Sequence, residues 1–311
     1  MGVIIANVIS TNLFGILGLI LCRKDLNFAC FKNKFRYARK MIIYGLPFSM
    51  IMVIGTLLPS LDRFFLIRYT EYSQIAIYSI SGKISSLLAF ITDAFSLAFY
   101  PFAFSILDKN ESAKIFEKIF QGYLFLFSFL AVLITAFSST IIQVLFGSDY
   151  FKATMFLPPL LMANFFQAML EFTLLGIFIS KKTIFNLIIY LLGIAVLFIS
   201  NFFLVPVFFI MGAAVSLLIT KILMNVFAYL ISRRLYHLHL DFVLVFKTLI
   251  LVCGYFLIFY LNCNFPNYFL QKLNILSSIL FPVASFYIIL STSDRSRIIN
   301  EGRKLLRFRE L

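Results

Sequence analysis

Long apolar runs separated by short polar or basic connectors organise this chain from end to end. A helix needs roughly 20 apolar residues to cross the hydrocarbon core of a membrane. Nine runs are long enough: 3–22, 41–60, 75–106, 116–145, 153–179, 183–205, 208–231, 242–261 and 273–290. Backbone groups in lipid must be satisfied within the segment that spans it, and no period-2 barrel pattern occurs, so the spans are predicted to be helices. The expected fold class is an all-α, polytopic membrane protein. The run 75–106 carries polar residues near its start and Pro101 near its end, and is expected to tilt or kink. The longest connector on one side is expected at 61–74.

Composition supports the same class. Apolar residues make up 62% of the 311 positions and charged residues 13%, with 41 Phe and no Trp. Soluble domains carry about 45–50% apolar and 25% charged residues, so a soluble domain is excluded. The net charge is +14, which on a soluble protein would suggest nucleic acid. Here the basic residues sit between apolar runs, and no nucleic-acid partner is expected. Four cysteines, Cys22, Cys30, Cys253 and Cys263, form no CxxC pair and read as scattered free thiols.

The basic residues also orient the chain. Arg23, Lys24, Lys32, Lys34, Arg36, Arg39 and Lys40 share one side with Lys109, Lys114, Lys118, Lys181, Lys182, Arg233, Arg234 and six residues of the tail. Against those 20, the other side holds Arg63, Arg68, Lys152 and Lys272. The C-terminus is therefore expected in the cytoplasm and, after nine crossings, the N-terminus outside. No basic segment precedes the first apolar run and no cleavage site follows it, so a removable signal peptide is not expected. A chain that opens outside on an apolar helix reads as the later part of a longer protein, by truncation or a split reading frame. The basic tail after Leu290, with its interspersed apolar residues, reads either as an amphipathic helix on the anionic leaflet or as a solvated tail.

Charges inside the apolar runs are the functional candidates, because burying one at the bilayer centre costs about 2.5–3.5 kcal/mol. Lys221 lies in the middle of 208–231 and Lys83 a third of the way into 75–106; Asp93 is ten residues further along the same run. Glu171 shares one face of 153–179 with Asn164 and Gln167, at i, i+3 and i+7. Asp62 and Arg63 follow the end of 41–60 and read as an interfacial acid–base pair. A polar cavity lined by Lys221 and Lys83, accepting an anionic group, is one reading. Structural pairing of each charge is the other. His237 and His239 are a weak metal signal, and no phosphate loop, HExxH or GxSxG motif occurs. No catalytic constellation, metal or cofactor is predicted, so a transporter is expected rather than an enzyme.

Residues 44–98 are less generic. YGLPFSM (44–50), SLDRFFL (60–66), IAIYSISGKISSLL (75–88) and DAFSLAFYPFAF (93–104) resemble the Wzx-type polysaccharide and O-antigen flippases of the multidrug/oligosaccharidyl-lipid/polysaccharide exporter superfamily. ISKKT (179–183), NFFLVPVFFIMGAAVS (201–216) and ISRRLY (231–236) extend the resemblance over most of 41–240. It implies residues 1–40 as the last helix of an incomplete first lobe with a cytoplasmic linker, and 41–240 as a complete six-helix second lobe. Two extra helices would follow at 241–291, then a basic cytoplasmic tail at 292–311. The first five helices of the family plan would be missing.

The resemblance further implies a substrate of undecaprenyl-diphosphate-linked oligosaccharide, moved across the bacterial inner membrane. Membrane lipid, an O-antigen polymerase and glycosyltransferases are its implied partners. The family's cationic cavity maps at most onto Arg63, Lys83 and Lys221, with Asp62, Asp93 and Glu171 as further pathway candidates. Competing readings are a multidrug or lipid II exporter of the same fold, and an intramembrane glycosyltransferase or polymerase.

Overall fold

Apolar runs of this length have one way to satisfy their backbones in lipid, and the described secondary structure is accordingly helical. A computed structural model describes residues 2–21, 35–107, 112–235, 242–264 and 268–289. The linker from Cys22 to Lys34, the His237–His239 pair and the basic tail lie outside the described residues. The helices are α1 (Gly2–Leu21), α2 (Phe35–Tyr69), α3 (Tyr72–Ser105), α4 (Ser112–Phe146), α5 (Leu157–Ile179), α6 (Thr183–Leu235), α7 (Phe242–Asn264) and α8 (Tyr268–Ile289). A 3-10 helix, Ser148–Phe156, precedes α5.

At 53 residues α6 would be about 80 Å long if straight, against a hydrocarbon core of roughly 30 Å. It is instead folded back. Phe209 has φ 50° and ψ −124°, three residues after Pro206. Gly212 on the returning limb meets the carbonyl of Leu204, and Gly193 meets the side chain of Met224. Each pair sums to nearly the same number, as an antiparallel hairpin requires. The two limbs correspond to the expected runs 183–205 and 208–231; among the described residues six helices, α6 counted once, are long and apolar enough to cross a membrane, against the nine spans expected.

Two boundary expectations are corrected. The run 41–60 belongs to a helix of 35 residues, Phe35–Tyr69, which starts six residues earlier than expected. The 61–74 connector is almost wholly helical, with only Thr70 and Glu71 between α2 and α3. Asp62 and Arg63 caused the error: a charged pair after an apolar run reads as an exit from the membrane. α3 continues helically through Pro101 to Ser105.

The chain falls into two compact units, Met1–Ser49 and Met50–Leu311. The first contains α1, whose described large apolar side chains, among them Ile9, Phe14 and Leu21, are exposed as in a helix facing lipid. In the second unit α5 is the most enclosed helix, packed against α3, α4 and both limbs of α6. Lipid is as apolar as leucine, so helix association rests on close packing and hydrogen bonds rather than on the hydrophobic effect. Aromatic rings supply much of that packing. Phe95 and Tyr123 lie 4.2 Å apart, Phe99 and Phe172 4.7 Å, and Phe120 and Phe172 5.1 Å. Pairs of this kind add about 0.5–1.5 kcal/mol each beyond their burial. α7 and α8 pack on each other and on α4, and Val252, Tyr255 and Phe281 join the same core.

Candidate functional site

The polar residues of the second unit converge where α2, α3, α5 and the returning limb of α6 meet. α2 approaches its neighbours through long side chains, with Phe65 and Leu66 packing on Tyr78, Val205 and Ala214. The space this leaves is a cavity of about 300 Å³. Pro59, Asp62 and Arg63 line it from α2, and Ser79, Gly82, Lys83 and Ser86 from α3, spaced at three and four residues as one helical face requires. Asn164 of α5 and Leu217 of α6 close it. Gly82 leaves its position open, with no atom within 4 Å of where a Cβ would stand.

Asp62 sits inside α2, only 1% exposed, which corrects its reading as half of an interfacial pair. The Tyr78 hydroxyl donates to its Oδ2 at 2.7 Å, and the Asn201 amide donates to its Oδ1 at 2.8 Å. One carboxylate thus ties α2 to α3 and to the outgoing limb of α6. Arg63 and Lys83 are exposed and line the cavity. Among the described residues neither has a carboxylate within ion-pair distance.

Lys221 lies one helical turn beyond Leu217, next to the cavity rather than on its wall. Its Nζ donates to Gln167 Oε1 at 2.7 Å. Asp62 and Glu171 both act electrostatically on its charge, though among the described residues neither reaches it as an ion pair. Asn225, one turn further along α6, donates to the carbonyls of Phe166 at 2.7 Å and Lys221 at 2.9 Å. That clamp fixes the register of α6 on α5 and so the position of Lys221.

The three polar residues of α5 each engage a neighbouring helix. Asn164 donates to the Ser85 carbonyl at 3.1 Å, Gln167 accepts from Lys221, and Glu171 Oε2 accepts from the Tyr100 hydroxyl at 2.7 Å. Glu171 therefore belongs to a polar layer away from the cavity wall. Asp93 is exposed on α3 and does not line the cavity. Tyr78, Tyr100, Asn201 and Asn225 were not anticipated from the sequence. Their available signal was isolation: single amides in long apolar runs such as 183–205 need a partner in lipid just as a charge does.

The fold and this cavity define a polytopic helical membrane protein with a basic, partly hydroxylated chamber between helices. Comparison with known proteins adds a biological setting. Residues 2–155, just under half of the chain, match a family described as polysaccharide biosynthesis protein. The uncharacterized membrane protein MJ1068 of Methanocaldococcus jannaschii is 25% identical over 223 residues, covering 68% of this chain and 43% of that protein. The chain thus spans less than half the length of this relative. No solved structure matches. The chain is a membrane protein similar, through its first half, to proteins of polysaccharide biosynthesis.

Proposed function

We propose that this chain belongs to a flippase that carries an oligosaccharide linked to undecaprenyl diphosphate from the cytoplasmic to the outer leaflet of the bacterial inner membrane. The observation that carries this reading is an imbalance of charge at the cavity. Arg63 and Lys83 line it and Lys221 stands one turn away, while its one acidic residue, Asp62, is occupied by Tyr78 and Asn201. Such a chamber favours an anion. A diphosphate offers acceptor oxygens for charge-assisted bonds to guanidinium and ammonium groups, each worth about 1.5–3 kcal/mol. Ser79, Ser86 and Asn164 offer partners for sugar hydroxyls, and the prenyl tail would remain in lipid.

The similarity of residues 2–155 to polysaccharide biosynthesis proteins supports a glycan-bearing cargo. A multidrug cation exporter would call for an acidic chamber instead. The test is binding by the purified chain in lipid nanodiscs, read by native mass spectrometry. Undecaprenyl diphosphate should bind at least about tenfold more tightly than neutral undecaprenol, equivalent to about 1.4 kcal/mol. The double variant Arg63→Gln/Lys83→Gln should lose that preference. Equal binding of the two lipids, or an undiminished preference in the double variant, would overturn the proposal.

A further inference from the structure

The α2–α3 turn is polar, and the bend of α6 beside it is not. Tyr69 ends α2, Tyr72 begins α3, and Thr70 and Glu71 lie between them. The α6 bend has no polar side chain from Phe202 to Met211, and Phe202, Phe203, Val207 and Phe208 are exposed. Apolar side chains exposed in this way belong in hydrocarbon, whereas a turn carrying charges and two tyrosines belongs at the level of the lipid headgroups. The two surfaces meet at a second cavity, of about 400 Å³, lined by Arg68, Tyr69, Thr70, Glu71, Gln74 and Phe209.

This cavity holds one cation and one anion that are not spent on each other. Among the described residues Arg68 makes no ion pair, and its guanidinium lies 5.9 Å from the centre of the Tyr69 ring. The Glu71 carboxylate accepts only a long bond from the Ser73 hydroxyl, 3.4 Å, and does not cap α3. The side-chain amide of Gln74 has no partner among the described residues.

From this juxtaposition we propose that the cavity between the α2–α3 turn and the α6 bend binds a phospholipid whose headgroup joins a phosphate to a primary ammonium, drawn from the leaflet on that side. Arg68 offers a forked donor to the phosphate, and Glu71 accepts from the ammonium. The two charges sum to zero, which suits a zwitterionic head; an anionic head would gain Arg68 but face Glu71. Full methylation of the amine removes the N–H groups that Glu71 would accept. The acyl chains lie against the exposed phenylalanines of the α6 bend, a wall for which a free phosphate or sugar has no use. The inference does not rest on the cargo proposed above, since this lipid stays in its leaflet.

The chain contains no Trp, so Phe208→Trp places a unique fluorophore on the exposed bend beside the cavity. This full-length chain is reconstituted in phosphatidylcholine nanodiscs holding small, equal fractions of phosphatidylethanolamine, phosphatidylglycerol or phosphatidylcholine with brominated acyl chains, which quench tryptophan on contact. Brominated phosphatidylethanolamine should half-quench at a mole fraction about tenfold below that of either other lipid, the worth of one charge-assisted hydrogen bond. Glu71→Gln should bring phosphatidylethanolamine to the level of phosphatidylcholine, and Arg68→Gln should weaken phosphatidylethanolamine binding by about tenfold. Both residues are exposed, so neither change threatens the fold. Equal quenching by the three lipids, strongest quenching by phosphatidylglycerol, or an undiminished preference in Glu71→Gln or Arg68→Gln would overturn the site. So would displacement by water-soluble glycerophosphoethanolamine, which would show that the acyl chains play no part.

Discussion

Lys221 shows how a single side chain can be both costly and retained. Its ammonium lies in an apolar helix at a cost of about 2.5–3.5 kcal/mol on insertion scales, and it has three donors to satisfy. Gln167 accepts one of them at 2.7 Å. An apolar residue of similar volume removes the cost of burying that charge, which offsets the lost hydrogen bond to Gln167. Lys221→Met should therefore keep wild-type abundance and thermal stability while undecaprenyl diphosphate binding falls by about tenfold or more, the loss of one charge-assisted contact. Lys221→Arg should keep part of the binding. Gln167→Leu is expected to do the opposite, leaving the ammonium unpaired and lowering stability by about 1–3 kcal/mol, read as an earlier melt in detergent. Wild-type binding by Lys221→Met would remove this lysine from the substrate path. Lys221 was legible in the sequence because depth in an apolar run is a local property, and so was the face shared by Asn164, Gln167 and Glu171. Their partners were not legible. Asn201 is 139 residues from the Asp62 it bonds, and no periodicity carries that distance.

At the scale of elements, the α6 hairpin fixes how much of the bundle can assemble. Its returning limb carries Lys221, Ser216 and Asn225, and all three depend on the close approach at Gly212. A methyl group there would strike the Leu204 carbonyl, a backbone atom that cannot turn aside. Gly212→Ala should cost about 1–3 kcal/mol, as overpacking of a tight contact does. Gly55→Ala in α2 provides the control, since nothing lies within 4 Å of its Cβ position. It should be neutral or stabilising by up to about 1 kcal/mol, the ordinary gain of alanine over glycine inside a helix. Differential scanning fluorimetry of the two variants makes the comparison, and equal melting temperatures would contradict the packing argument. The hairpin itself was legible, because Pro206 divides an apolar stretch too long for a single crossing. The true length of α2 was not. Sequence reasoning ends a span at Asp62 and Arg63, whereas Tyr78 and Asn201 keep that carboxylate inside the bundle.

For the whole molecule, the decisive pattern is the alternation of helices with charged connectors. Each described pass carries the chain from one face of the bundle to the other, so the turns at Lys181–Lys182 and Arg233–Arg234 fall on one face. The 3-10 helix near Tyr150 and the α6 bend fall on the opposite face. The division made from the sequence alone expects 20 Lys and Arg residues on the side of the first set and four on the other. Such asymmetry sets orientation because basic loops resist translocation. Hence we predict that alkaline phosphatase fused near Tyr150 or near Pro266 is active, and that green fluorescent protein fused there is dark. Fusions after Lys182, after Arg234 and at Leu311 should give the reverse. The informative position is Pro266, between α7 and α8. A cytoplasmic reading at Pro266 with an unchanged reading at Arg234 would mean that α7 does not cross. The pair packed on α4 would then be a surface hairpin rather than two spans. A cytoplasmic reading at Tyr150 would invert the bundle, placing the α2–α3 end of the cavity toward the cytoplasm and reversing the direction of transport proposed for it.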